Sequence, residues 1–311
     1  MSSILLECFL FISIGYLLKQ TQPLAFDAET VRKSIISLIY LVLLPALVIK
    51  SLWKSPAELI QWQISASVII TILITASLIW FIYRYLTDNK AILGSVILAG
   101  SLSNATYQGL PILNHQLGEL GTAITIQYDF FAQTPLLLTL GILLARYFGQ
   151  NPTTTEPETW WKTLAKVPAL WAAGLGLLLN QQQIAPIEPM ITWLTHLSDP
   201  VIPLMLISIG LGLRPESIRW KDIPFLTPVL MIKLMIAPFI IILVARSLQL
   251  NEQQVMGLAL EAGMSSILIA IVLVERYHLD VKKFIEIVTL TLLLSLGSLP
   301  LWQWLLDRQL V

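Results

Sequence analysis

Ten stretches of this sequence run for roughly twenty residues each with almost no charge, and no other feature restricts its fold as tightly. They cover residues 3–18, 35–53, 62–83, 91–113, 121–145, 163–180, 189–213, 223–245, 253–275 and 284–306. A helix crossing a hydrocarbon core of about 30 Å needs about 20 residues, whereas barrel strands would alternate in polarity and be about half as long. Apolarity on every face means helices that meet lipid or other helices and not water. Composition agrees: 56% of residues are hydrophobic and only 12% charged, against about 25% charged in a soluble domain. The sequence therefore predicts an all-α integral membrane protein whose first partner is the lipid bilayer.

Lys plus Arg and Asp plus Glu each total 19, so no net field points to nucleic acid, and the placement of charge carries the information. With the N-terminus outside, the inward loops hold fourteen basic residues, among them Arg32, Lys33, Arg84, Arg146, Lys162, Arg219 and Lys283. The outward side holds four, Lys50, Lys54, Arg246 and Arg308. This bias places both termini on the periplasmic or extracellular side of a cell membrane. No basic residue precedes the first apolar run, which reads as a retained helix. Trp53, Trp62, Trp80, Trp160, Trp161, Trp193, Trp220 and Trp302 fall near run ends, where indoles settle at the interface. Cys8 is the single cysteine, and His115, His196 and His278 lack metal-ligand spacing, so no cofactor or Cys-based metal site is expected. Neither a phosphate-binding loop nor a nucleophile elbow occurs. An enzyme is therefore not expected.

Two apolar runs are interrupted by polar residues at their centres. The fourth contains residues 101–111, SLSNATYQGLP; the ninth contains residues 261–266, EAGMSS. They are related by an internal repeat. The Leu-Leu-Pro of Pro45 resembles the Val-Ile-Pro of Pro203, 158 residues later, and the same offset carries Tyr107 onto Ser265. Pro45 and Pro203 are thus structural markers of two halves, 1–150 and 163–311, joined by a short cytoplasmic linker at 151–162. An odd number of helices per half gives the halves opposite orientation, and inverted repeats with matching interrupted helices point to a secondary transporter's site. Gly109 and Pro111 are expected to loosen the fourth helix and free carbonyls near Tyr107. The half-helix that follows presents N–H groups suited to an anion. Asn104, Tyr107, Gln108, Ser265 and Ser266 supply hydrogen bonds for a substrate. Gly174 and Gly176, with Gly210 and Gly212, read as close-packing positions.

Three ionisable residues fall deep inside runs: Asp129, Lys233 and Glu261. Such residues cost at least about 2.5 kcal/mol at the bilayer centre and usually face a cavity or a partner. Glu261, with Gly263 and Asp129 beside it in this reading, is the candidate for a coupling cation or a proton. Lys233 can pair with either carboxylate or attract an anionic substrate.

Leu43-Leu44-Pro45-Ala46-Leu47, the Asn104-to-Pro111 stretch, Ser198-Asp199-Pro200-Val201-Ile202-Pro203-Leu204 leading to Gly210, Lys233, and Met264 through Glu275-Arg276-Tyr277-His278-Leu279-Asp280 carry a further signal. Together they resemble the auxin efflux carrier family, within the wider group that includes bile acid and sodium symporters. The resemblance implies about ten transmembrane helices in two inverted five-helix repeats, with helices 4 and 9 broken and crossing. It implies a scaffold part and a moving part, elevator-type displacement, and a small organic anion as substrate, a dicarboxylate or an auxin-like acid. Asn104 and Pro111 match the polar residue and proline of the first crossover; Ser265 stands where members often carry proline. Glu261 resembles the acidic residue that sodium-coupled relatives use for Na⁺, leaving Na⁺ coupling, H⁺ coupling and uniport open. Helices rich in Leu and Ile would suit a homodimer. An anion-binding membrane sensor and a channel are the alternatives.

Overall fold

The computed structural model describes residues 2–22, 27–54, 62–149, 167–213, 216 and 218–308. The linker at 151–162, with Trp160, Trp161 and Lys162, lies outside the described residues. Helices account for all the regular elements there: α1 (Ser2–Thr21), α2 (Ala28–Lys54), α3 (Trp62–Tyr83), α4 (Lys90–Ser101), α5 (Leu110–Leu117) and α6 (Glu119–Phe148). They continue as α7 (Pro168–Gln181), α8 (Glu188–Gly212), α9 (Trp220–Ser247), α10 (Glu252–Ala262), α11 (Ile271–Arg276) and α12 (Val281–Asp307). Six of them, α2, α3, α6, α8, α9 and α12, are long and apolar enough to cross a membrane. The fourth and ninth apolar runs each become two shorter helices, α4 with α5 and α10 with α11.

The chain divides into two compact units, each drawn from both halves of the sequence. The first comprises Met1–Ile60, Thr106–Ile126 and Trp161–Leu213. Within it α1 and α8 meet backbone to backbone: a Cβ on Gly15 would lie 2.1 Å from the Ile207 carbonyl oxygen, and one on Gly210 would lie 2.0 Å from that of Ile12. Gly176 packs similarly on Leu52 of α2, whereas Gly174 faces open space and has no such role. The α2–α7 pair is fastened by polar caps. Asn180 donates to the carbonyls of Leu52 and Trp53 at 3.0 and 3.1 Å, and the Trp53 indole donates to the Ile184 carbonyl at 2.8 Å. Trp53 is buried. It therefore locks helices together and is not the interfacial ring its position in the sequence suggests; Trp62, Trp193 and Trp220 are exposed, as that reading requires. Asp27 caps α2, and the Thr30 hydroxyl, which donates to it, holds its carboxyl below the usual range.

The second unit comprises Gln61–Ala105, Gln127–Trp160 and Arg214–Val311. Here α3 packs on α4 and α9, α9 on α10, and α12 on α4 and α10. Gly100 lets α4 approach α9, since a Cβ there would lie 2.3 Å from Val229. The Tyr83 hydroxyl enters the backbone ladder of α9, donating to the Phe225 carbonyl at 2.7 Å and accepting from the Val229 N–H at 3.2 Å. Lys283 at the start of α12 bonds Asp222 and Glu286, with Arg219 3.9 Å from Glu286, tying α12 to the start of α9.

Prolines shape the long helices in a regular way. Wide π-helical turns at Ile39–Leu43, Ala105–Gly109, Asp129–Gln133 and Ile232–Ile236 each end two residues before a proline, at Pro45, Pro111, Pro135 and Pro238. Proline lacks an N–H and its ring crowds the carbonyl four residues back, so widening the preceding turn relieves the clash. A fifth wide turn, Leu137–Gly141, has no such proline. The carbonyl freed by Pro238 is that of Leu234, and the buried Trp302 indole donates to it at 2.8 Å. Trp302 thus also serves the fold and not the interface.

Candidate functional site

Every polar group of the site described next belongs to the second unit. Helix α4 ends at Ser101 and the chain runs extended through Leu102 before the wide turn begins at Ala105. Helix α10 ends at Ala262 and the chain leaves helical geometry until Ile271. These two non-helical segments pair antiparallel at Ser103 and Ser266. Asn104 donates its N–H to the Ser265 carbonyl at 2.7 Å, and Ile267 donates to the Leu102 carbonyl at 3.2 Å. The predicted partnership of the two polar interruptions therefore holds, and the ninth run breaks fully without a proline.

The position of the first break differs from the expectation. It lies at Leu102–Asn104, upstream of Gly109 and Pro111, because a proline is accommodated in the first turn of the helix that follows a break. Tyr107, Gln108, Gly109 and Pro111 follow the crossing in the sequence and belong to the first unit; Gln108 and Pro111 are buried.

A buried crossing leaves backbone donors and acceptors that need partners. Gln133 supplies two. Its side-chain carbonyl accepts from the Ser103 N–H at 2.6 Å, and its amide donates to the Ser103 carbonyl at 2.8 Å. The same amide donates to Asp129 at 3.3 Å, and Thr134 donates to that carboxylate at 3.0 Å. A flipped amide would set oxygen against the carboxylate, so Asp129 fixes the orientation of Gln133. Asp129 thereby takes a positioning role in the geometry. On the other side Thr291 of α12 accepts from the Ser266 N–H at 3.0 Å and donates to the Ile287 carbonyl at 2.7 Å. Replacing Thr291 with Val keeps the shape and strands that buried N–H. We expect Thr291→Val to lower stability by about 1–3 kcal/mol and Thr291→Ser to stay close to wild type, compared by thermal unfolding of the purified protein.

Lys233 reaches the crossing from the wide turn in α9. Its Nζ donates to the Ser103 hydroxyl at 2.5 Å and to the Ala262 carbonyl at 2.7 Å, and the residue is 1% exposed. Ser103 Oγ is also 3.0 Å from the Tyr128 hydroxyl. Glu261 is fully buried and adjoins Ala262, whose carbonyl accepts from Lys233. Gly263 closes α10 where a Cβ would stand 3.2 Å from Pro238. Asn104 Nδ2 lies 3.5 Å from Ser265 Oγ. Of the predicted residues, Asn104, Asp129, Lys233, Glu261, Gly263, Ser265 and Ser266 thus meet at or beside one crossing. Pro45 and Pro203 lie apart from it, in α2 and α8 of the first unit. Ser103, Tyr128, Gln133 and Thr291 were not singled out from the sequence. Gln133 has one local signal, its place two residues ahead of Pro135.

Chemically, the cluster offers hydroxyl and amide groups beside one buried cation and two carboxylates. Among the described residues no three His, Cys, Asp or Glu side chains converge on a metal position. A family described as membrane transport protein matches residues 1–303. An uncharacterized transporter of Methanothermobacter thermautotrophicus is 28% identical over 302 residues, covering 96% of this chain and 95% of that protein. Another, from Methanocaldococcus jannaschii, is 26% identical over 229 residues, covering 71% of this chain and 70% of that protein.

Proposed function

Starting from a chain that belongs to the membrane transport protein family, the auxin efflux carrier-like group, we propose a secondary active transporter for a small organic anion. The protein is a multi-pass membrane transport protein and not an enzyme. The observation that carries the reading is the antiparallel crossing at Ser103 and Ser266, where two helices give up their apolar character together. Irregular backbone in a membrane protein is tolerated where it is buried in protein or lines a cavity, and transporters place their sites at such interruptions. Asn104, Ser265 and Ser266 are the proposed donors to the substrate carboxylate. The substrate class, a dicarboxylate or auxin-like acid, follows the family resemblance.

In this reading the crossing is complete within one unit, which supports elevator-type alternating access with that unit as the moving part. Two inverted five-helix repeats, a cell-membrane location with both termini outside, and assembly as a homodimer complete the proposal. The positive-inside bias supports the orientation. A ligand at about a hundred times its Kd stabilises a folded protein by about 2.7 kcal/mol. A panel of mono- and dicarboxylates should therefore contain members that raise the unfolding midpoint of the purified wild type and leave Asn104→Ala unmoved. If none of the panel shifts the wild type, the organic-anion assignment fails.

A further inference from the structure

We infer that the Lys233 ammonium is a built-in cation at the crossing, held where resemblance to sodium-coupled carriers would put Na⁺, so this carrier takes no Na⁺ beside Glu261. The oxygens gathered there form the set a hard cation prefers: a backbone carbonyl at a helix C-terminus, a hydroxyl and a carboxylate nearby. The carbonyl is that of Ala262, the last residue of α10, where the helix concentrates negative partial charge. Lys233 Nζ stands 2.7 Å from this oxygen and 2.5 Å from Ser103 Oγ. An ammonium has three donors and no acceptor, so it satisfies by hydrogen bonding the oxygens that a metal ion would otherwise coordinate.

A second cation does not fit. Na⁺ would need the same two oxygens, which are 3.5 Å apart and already share the ammonium, and it would stand against a like charge in a buried site. Burial completes the argument: Lys233, Ser103 and Glu261 are each at most 1% exposed, so water does not separate the charges. Solution Na⁺ would bind and leave with each transport cycle, whereas the tethered charge remains bonded to both broken helices. Its role is to neutralise Glu261 and to hold the end of α10 against the extended segment of α4.

This inference rests on the transport reading, and its test is separable because it reads Na⁺ binding to the folded protein and not transport. The unfolding midpoint of purified full-length wild type is measured in NaCl and in choline chloride at equal ionic strength. The expected result is the same midpoint in both salts; a saturable rise specific to Na⁺ overturns the inference. Lys233→Ala is measured alongside. A lowered midpoint in choline, raised again by Na⁺, is the expected result. A variant as stable as wild type in choline, or one lowered and not raised by Na⁺, overturns it. If the variant does not fold, the wild-type comparison decides alone. A wild type that binds carboxylates and is also stabilised by Na⁺ sinks this inference and leaves the transport reading standing. A wild type indifferent to both salts and to every carboxylate leaves the inference standing and sinks the substrate assignment.

Discussion

Gly210→Leu is expected to yield little or no folded protein after detergent extraction. At Gly210 the first added carbon would stand 2.0 Å from the Ile12 carbonyl oxygen, 2.8 Å from the Tyr16 nitrogen and 2.9 Å from Gly15 Cα. All three are backbone atoms, so no side chain can swing aside, and α1 must move off α8 along their contact. Overpacking where side chains can yield costs about 1–3 kcal/mol; with backbone on both sides we expect at least about 3 kcal/mol. Gly210→Ala should already be harmful, because the collision begins at Cβ. Gly174→Ala in the same unit is the control: nothing lies within 4 Å of its added carbon, and alanine is worth up to about 1 kcal/mol more than glycine in a helix. Monodispersity on size exclusion and the unfolding midpoint report both. A Gly210→Leu protein that behaves as wild type would show that α1 and α8 do not meet as described.

Gln133→Leu should be the most damaging single substitution around the crossing. It removes the acceptor of the Ser103 N–H and the donor to the Ser103 carbonyl at once, and both groups belong to a fully buried residue in a non-helical segment. Each unsatisfied buried group costs about 1–3 kcal/mol, so the pair comes to about 2–6 kcal/mol. Gln133→Glu should not rescue it, since its second oxygen would face the Ser103 carbonyl and the Asp129 carboxylate. The measurement is the unfolding midpoint of the two variants beside wild type. Wild-type stability in Gln133→Leu would mean that the crossing is not held from α6.

Much of this architecture was legible in the sequence because it follows from local composition. Long apolar runs announce spans, and a polar interruption such as residues 261–266 announces a break, even though the ninth run has no proline to mark it. The two interruptions meet at Ser103 and Ser266, a register that the 158-residue offset, which carries Tyr107 onto Ser265, does not give. The displacement of the first break was not legible, because a proline reads as a breaker while the geometry uses Pro111 in the first turn of α5. Gln133 and Thr291 gave little sign, since a lone polar residue in an apolar run looks the same whether it faces a neighbouring helix or a crossing. Trp53 and Trp302 sit at run ends as interfacial rings do, and only the tertiary structure shows their indoles spent on buried carbonyls. Asp129 and Lys233 were noticed for their charge. Their shared place in wide turns ahead of Pro135 and Pro238 is visible only in the structure.

Transport of an organic anion across a bilayer by the crossing is measured directly in vesicles. Purified protein in vesicles, supplied with a labelled carboxylate chosen by the stabilisation panel, should show saturable uptake that an empty vesicle lacks. Asn104→Ala and Glu261→Gln should each reduce it, by about tenfold for every 1.4 kcal/mol of lost interaction. Saturable uptake in the wild type with loss in both variants is the predicted result. Wild-type uptake unchanged in both variants, or binding with no uptake at all, would contradict it.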